Sequence, residues 1–313
     1  MRKAQDRITI GHVAAEAGVS IATVSRVVNG RYGVAPGTSS RVQAIIDDLG
    51  YESSLVARSL RSHRTSVIGI IVPDLEPFSA HLHAFFPDVR GHGLSQKFER
   101  IEDYTYARKA EDVLLWLDWL GIRSAIWGGA SMGGALSLWN AVHAPERVRA
   151  VVSISGPPYA PRESNVRWWM EHRALVEAGR FEDYFDANIR MRIGEDALAR
   201  LKAKPERYRE TIGRLRLHSV PSFLALLDET YRRTDWLADC ARIRCPVLVI
   251  AGEEDHFPSL EQSRRVAETI PGARLHVVQG GGHFPNRTHR AEVQQAIRSF
   301  LEEVMILPQG AST

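Results

Sequence analysis

Cysteine is nearly absent. The 313-residue chain has two, Cys240 and Cys245, without the repeated spacing or histidine partners of a zinc or redox site. A disulfide scaffold is thereby excluded, a reducing interior is expected, and no metal or cofactor is implied, since no ligand cluster has suitable spacing. Long apolar runs are missing too: none reaches the roughly 18 residues of a membrane span. The N-terminus, Met1-Arg2-Lys3, meets charge again at Asp6 and Arg7 with no apolar stretch between. No membrane association and a cytoplasmic location are therefore expected. Net charge is small at +3, and all of the excess lies in front: nine Lys/Arg against five Asp/Glu in residues 1–66, thirty-one against thirty-two in residues 67–313. A basic small region ahead of a neutral body suggests a polyanion partner at one end. With 44% hydrophobic and 25% charged residues, the composition is that of a globular protein with one large domain and one small one.

Within the body, Gly129-Ala130-Ser131-Met132-Gly133 follows the apolar run Ser124-Ala125-Ile126-Trp127-Gly128. Gly-x-Ser-x-Gly after a strand is the pattern of a nucleophile elbow. An acid and a base follow in the order that geometry needs: Asp255 closes a stretch beginning Pro246-Val247-Leu248, and His283 closes Leu275-His276-Val277-Val278 with its glycine run. A free hydroxyl is a poor nucleophile, so Ser131 needs His283 to take its proton and Asp255 to orient the resulting imidazolium. The order Ser, Asp, His fits this layout and no other serine-hydrolase arrangement.

In front, Ile10, Val13, Ala14 and Ala17 fall on one face of a helix over 10–17 that Thr9 can cap. Gly18-Val19-Ser20 breaks it, Ser20 caps a second helix over 21–28 closed by Asn29-Gly30, and a third runs from about Pro36 to Leu49. Two helices around such a turn form a helix-turn-helix, whose second helix lies in the major groove. The stretch Ile8-Thr9-Ile10-Gly11-His12-Val13-Ala14 through Arg26-Val27-Val28-Asn29-Gly30 resembles the lactose-repressor (LacI-type) family. That resemblance, taken over residues 8–75, implies a double-stranded operator as partner. It puts base reading at Ile21 and Ala22 and contacts to phosphates or bases at Thr23, Ser25, Arg26 and Asn29, with Thr9 and Ser20 also at the DNA. A hinge helix would span Ser53 to Leu60, with Leu60 as a minor-groove wedge. Hydroxyls and Arg suit phosphate contacts, and an apolar wedge can kink a base step. Repressors of this family bind as dimers, so a homodimer is one arrangement open to the chain.

The segment Ser66-Val67-Ile68-Gly69-Ile70-Ile71-Val72-Pro73-Asp74 looks like the first strand of that family's effector domain. From Ala84-Phe85-Phe86-Pro87-Asp88-Val89-Arg90-Gly91-His92-Gly93 onward the chain instead resembles serine α/β-hydrolases of the esterase and lactonase type, continuously over residues 83–305. The expected domains are 1–62 (helix-turn-helix and hinge), 63–82 (a junction with one strand) and 83–308 (hydrolase), the last with a helical cap at about 157–236 carrying Trp168, Trp169, Tyr184, Phe185 and Phe223. Strands are expected at 84–86, 124–128, 148–154, 246–251 and 274–278. The fold class is α/β, a doubly wound mostly parallel sheet incomplete on its N-terminal side, with a small all-α domain in front. The strand near 67–72 should pair in parallel with 84–86 through a strained crossover, because residues 73–83 barely supply the roughly ten to twelve such a connection takes. The resemblance implies one oxyanion donor at the Met132 N–H and a second from a His-Gly loop after an earlier strand, which the reading finds missing. His81 and His83 read as solvated junction residues, His92 as structural, and His218 as uninterpretable. Three readings stay open: a DNA-binding module fused to a serine hydrolase acting on a small ester, lactone or other acyl substrate; a regulator whose hydrolase-like body is inactive or senses a ligand; and a fusion with neither function complete.

Overall fold

The structure, a computed structural model, describes residues 10–20, 23–24, 27, 34–49, 67–71 and 83–304. The chain divides into two compact units, Met1–Thr65 and Ser66–Thr313.

In the first unit, helix α1 (Ile10–Ala17) buries Val13, Ala14 and Ala17. They meet Val24 and, from helix α2 (Pro36–Asp48), Val42 and Ile46 in one core. Gly18 ends α1 at φ +62°, a left-handed conformation that costs glycine little. Ser20 then caps the next helical stretch: its Oγ accepts from the Thr23 N–H at 3.1 Å, and Thr23, Val24 and Val27 are helical. The third helix stops at Asp48, one residue short of expectation. Thr9, Ile21, Ala22, Ser25, Arg26, Asn29 and Leu60 lie outside the described residues.

The second unit is built on a parallel sheet. Its strands are β1 (Val67–Ile71), β2 (His83–Ala84), β3 (Ala125–Ala130), β4 (Val148–Ile154), β5 (Val247–Gly252) and β6 (Arg274–Val278), in the order β2-β1-β3-β4-β5-β6. β5 is buried throughout and β4 everywhere except Arg149, as strands covered on both faces must be. Ile126, Val152, Ile154, Leu248 and Ile250 pack against Ile297 and Phe300 of helix Arg290–Glu303.

The seat of β1 corrects the sequence reading. It does pair in parallel with β2, Val67 opposite His83, but its other edge pairs with β3 from Ile68↔Ile126 to Ile71↔Gly129. Such an inner position satisfies both rows of backbone groups. The earlier strand, expected to be missing, is therefore present, filled by the segment that looks like a repressor strand. β2 is shorter than expected and starts at His83, which is thus a strand residue; Phe85 and Phe86 lie outside it, ahead of Pro87. β3 starts at Ala125 rather than Ser124 and runs on to Ala130, because its register with β4 continues to Ala130↔Ile154. β5 begins after Pro246, which has no N–H for the ladder.

Between β4 and β5 the chain forms five helices: Glu163–Glu177, Phe181–Ile193, Glu195–Lys202, Pro205–Leu215 and Val220–Arg232. Their core gathers Trp169, Phe181, Tyr184, Phe223 and Tyr231 around Tyr104. Polar contacts fasten this cap to the body. Buried Lys109 donates to the Tyr104 carbonyl and to Glu229 at 3.3 Å, and His218 Nε2 lies 2.9 Å from the Gly91 carbonyl. His218 is thus a cap-to-loop tie, a role invisible in its sequence neighbourhood.

Candidate active site

Ser131 stands between β3 and helix Met132–His143, with φ 53° and ψ −116°. For a residue with a Cβ this is a strained conformation costing about 1–3 kcal/mol. The glycines around it allow the turn. A Cβ on Gly129 would sit 2.6 Å from the Gly133 carbonyl carbon, and one on Gly134 would meet Ser153 Oγ at 2.8 Å and Gly156 Cα at 3.0 Å. The Ser131 N–H donates to the Ile154 carbonyl at 2.8 Å, tying the turn to β4. Ser131 thus projects at the C-terminal edge of the sheet, where open α/β sheets bind ligands.

Asp255 follows β5 and accepts from the Phe257 N–H at 2.8 Å. His283 follows β6 across Gly280-Gly281-Gly282. That run approaches the end of β5 so closely that a Cβ on Gly252 would lie 2.3 Å from the carbonyl oxygens of Gly281 and Gly282. The Glu254 N–H donates to the Gly281 carbonyl at 2.8 Å, and the Gly280 N–H to Glu253 Oε2 at 3.0 Å. Acid loop and histidine loop are therefore one hydrogen-bonded assembly. Within it His283 Nδ1 lies 3.1 Å from Asp255 Oδ2 and 3.2 Å from Oδ1, while His283 Nε2 lies 3.0 Å from Ser131 Oγ. Both Asp255 and His283 are buried.

Met132 opens the helix after Ser131, so its N–H is among the first-turn donors that no helix satisfies internally. β1 ends opposite Gly129, and residues 72–82, which follow it, lie outside the described residues. Among the described residues no group of His, Cys, Asp and Glu could hold a metal ion. His92 Nδ1 faces the Arg90 carbonyl at 3.2 Å, and burial pushes its imidazole down to about 4, with Lys109 and His218 adding to that shift. Burial likewise lowers Lys109 to about 8 against the opposing pull of Glu229.

Asp255 and His283 open onto a cleft of about 590 Å³ that the cap closes with Arg162, Arg190 and Arg192. A second cavity of about 270 Å³ lies between cap helices beside Tyr184, Phe223 and Tyr231, and Arg192 lines both. None of these arginines stands out in the sequence, because the cap is rich in charge and nothing in spacing distinguishes them.

A strained serine hydrogen-bonded to a buried histidine–aspartate pair, at the edge of a parallel sheet roofed by helices, has the architecture of a serine-type α/β-hydrolase. Residues 66–289 match the family model for the alpha/beta hydrolase fold, and the chain belongs to that family. Residues 9–54 match the model for bacterial regulatory proteins of the lacI family, so the hydrolase body carries a LacI-type helix-turn-helix domain in front. The body is 34% identical over 229 residues to a 2-hydroxymuconate semialdehyde hydrolase of Pseudomonas putida, covering 69% of this chain and 76% of that one. The front is 52% identical over 68 residues to catabolite control protein A of Priestia megaterium, 22% of this chain and 20% of the regulator. The chain thus spans about a fifth of the length of such regulators. An enol-lactonase from Burkholderia xenovorans LB400 superposes with a TM-score of 0.64 over 77% of this chain and 93% of its own, at 22% identity, which establishes the shared fold. No helix among the described residues is long and apolar enough to cross a membrane.

Proposed function

We propose that the body is a serine hydrolase of carboxylic esters, lactones or related acyl compounds, and that the front is its sequence-specific DNA-binding module. The observation that carries the first half is the continuous chain Ser131 Oγ, His283 Nε2 at 3.0 Å, and Asp255 Oδ2 at 3.1 Å from His283 Nδ1. Ser131 attacks the substrate carbonyl as His283 removes its proton. Asp255 fixes the tautomer and stabilises the imidazolium, and the Met132 N–H receives charge on the carbonyl oxygen. His283 then protonates the leaving group, and water releases the acyl group from Ser131 by the reverse sequence. Hydrolysis of a short aryl ester by the wild type, abolished by Ser131→Ala with the fold retained, is the test; equal rates in the two would remove the reading.

For the front, the lacI-family match together with the Ser20-capped turn supports operator binding, with Thr9 and Ser20 at the DNA, Thr23, Ser25, Arg26 and Asn29 at phosphates or bases, Ile21 and Ala22 reading bases, and Leu60 as wedge. The unit boundary at Thr65/Ser66 fits a module over 1–62 and a junction over 63–82 whose strand joins the sheet. A gel shift on a palindromic operator library should weaken steeply with salt and weaken again in Arg26→Ala. Indifference to that substitution would contradict specific binding.

A further inference from the structure

The arginines over the catalytic cleft differ in one respect that bears on the substrate. Arg190 donates to Glu195 at 2.7 Å, and Arg162 to the amide oxygen of Gln262 at 3.1 Å. In the adjoining cavity Arg214 donates to Glu210 at 2.7 Å. Neither Arg162 nor Arg192 forms an ion pair with a carboxylate among the described residues, but Arg162 is exposed whereas Arg192 is half-buried. Its guanidinium donates to Tyr231 Oη at 3.3 Å and lies 5.1 Å over the Phe257 ring. Phe257 is the residue whose N–H holds Asp255, and its ring lies 6.2 Å from the His283 ring. Arg192 is therefore one aromatic ring away from the catalytic pair, and it borders both the cleft of Asp255 and His283 and the cavity beside Tyr184 and Tyr231.

A second feature of that cavity is independent of charge. Tyr184 is buried at 4% exposure, and its Oη, beside the Tyr231 side chain, makes no hydrogen bond of ordinary length. A buried hydroxyl left unpaired is costly, and such groups in folded proteins call for an explanation. A half-buried guanidinium without a carboxylate partner among the described residues, a phenol beside it and the cavity both border are together what a carboxylate oxygen fits, since Arg presents a planar fork matched to that group.

We propose that the body acts on acyl compounds bearing a carboxylate of their own, and that Arg192, with Tyr231 and Tyr184, holds this carboxylate in the cap cavity while the reacting carbonyl lies at Ser131. This rests on the serine-hydrolase reading above. It makes Arg192 a specificity-determining residue and the cap an anion-selective cover. Glu195 and Glu210 neutralise Arg190 and Arg214, and Arg162 is exposed, which leaves Arg192 as the half-buried guanidinium that reads the substrate.

The experiment compares the aryl half-esters of glutaric and adipic acids with neutral aryl esters of matched acyl length. The quantity read is the ratio of kcat/KM for the half-ester to that for the neutral ester. The wild type should prefer the half-ester by about tenfold or more, the scale of a hydrogen bond to a charged group. Arg192→Gln should bring the ratio close to unity, Arg192→Lys should restore part of it, and Tyr184→Phe should lower it by a smaller factor. An unchanged ratio in Arg192→Gln, or a wild type with no preference, overturns the proposal. A second arm needs no turnover: calorimetric titration of glutarate and adipate into the wild type, Ser131→Ala and Arg192→Gln. Binding present in the first two and lost in the third supports the carboxylate site even if neither ester is cleaved, an outcome that would sink the hydrolase reading alone. Absence of saturable binding to wild type and Ser131→Ala overturns the site whatever the hydrolysis data show.

Discussion

Gly129 and Gly133 meet across the serine turn so closely that a methyl group on the first would lie 2.6 Å from the carbonyl carbon and 2.7 Å from the Cα of the second. Both neighbours are backbone, so neither can rotate away, and the last residues of β3 and the first turn of the following helix have to separate. Gly129→Ala is expected to destabilise the body by about 2 kcal/mol or more, within the range for overpacking a close-packed site. Ester hydrolysis should fall with it. Urea unfolding alongside aryl-ester turnover checks both; wild-type stability in the variant would mean that the turn is looser than its geometry.

The serine itself carries strain. At φ 53° and ψ −116° a Cβ is unfavourable, whereas glycine accepts such angles. Ser131→Gly should therefore be more stable than Ser131→Ala by about 1 kcal/mol, while both lack hydrolysis. A stability order with alanine above glycine would show that the elbow relaxes in solution.

Lys109 and Glu229 form a buried ion pair at 3.3 Å, with side chains 1% and 6% exposed. Removing one member leaves the other's charge uncompensated, at a cost of about 3–5 kcal/mol, whereas replacing both with apolar groups is often close to neutral. Arg233 lies 3.8 Å from the same carboxylate, so Glu229→Leu, which strands both Lys109 and Arg233, should destabilise more than the double variant Lys109→Met/Glu229→Leu, which strands Arg233 alone. Equal or additive losses in urea unfolding would show that the pair is not coupled.

His92 sets a pH response. Its folded-state value of about 4 lies below the ordinary 6.5 because burial disfavours the imidazolium, with Lys109 and His218 nearby opposing charge and Asp88 favouring it. Between pH 6.5 and 4 the unfolded chain takes up a proton that the folded chain does not, so acidification across this window weakens folding. The contribution is fully present above pH 6.5 and lost toward pH 4. His92→Gln should flatten the slope of unfolding free energy against pH in that interval; an unaltered slope would assign it to other groups.

Local chemistry made much of this legible in the sequence. Ile10–Ala17 is a helix where its apolar spacing places one, and Ser131, Asp255 and His283 converge because each follows its own strand at the same edge of a parallel sheet. The seat of β1 was not legible. Val67–Ile71 carries an ordinary apolar strand pattern, and whether it lies at an edge or between two strands depends on partners more than ten residues away, such as Gly129. Arg192 was likewise hidden: what sets it apart is a half-buried position without a carboxylate partner among the described residues, and sequence spacing in a charged cap does not report that. His218 meets Gly91 across 127 positions, a separation no local pattern bridges.

Mass spectrometry of the intact chain after exposure to a fluorophosphonate reads the activated serine without assuming a substrate. The account predicts one phosphonyl adduct per chain, on the peptide containing Ser131, none in Ser131→Ala, and much slower labelling in His283→Ala. Equal labelling of the wild type and Ser131→Ala, or none in either, would contradict it.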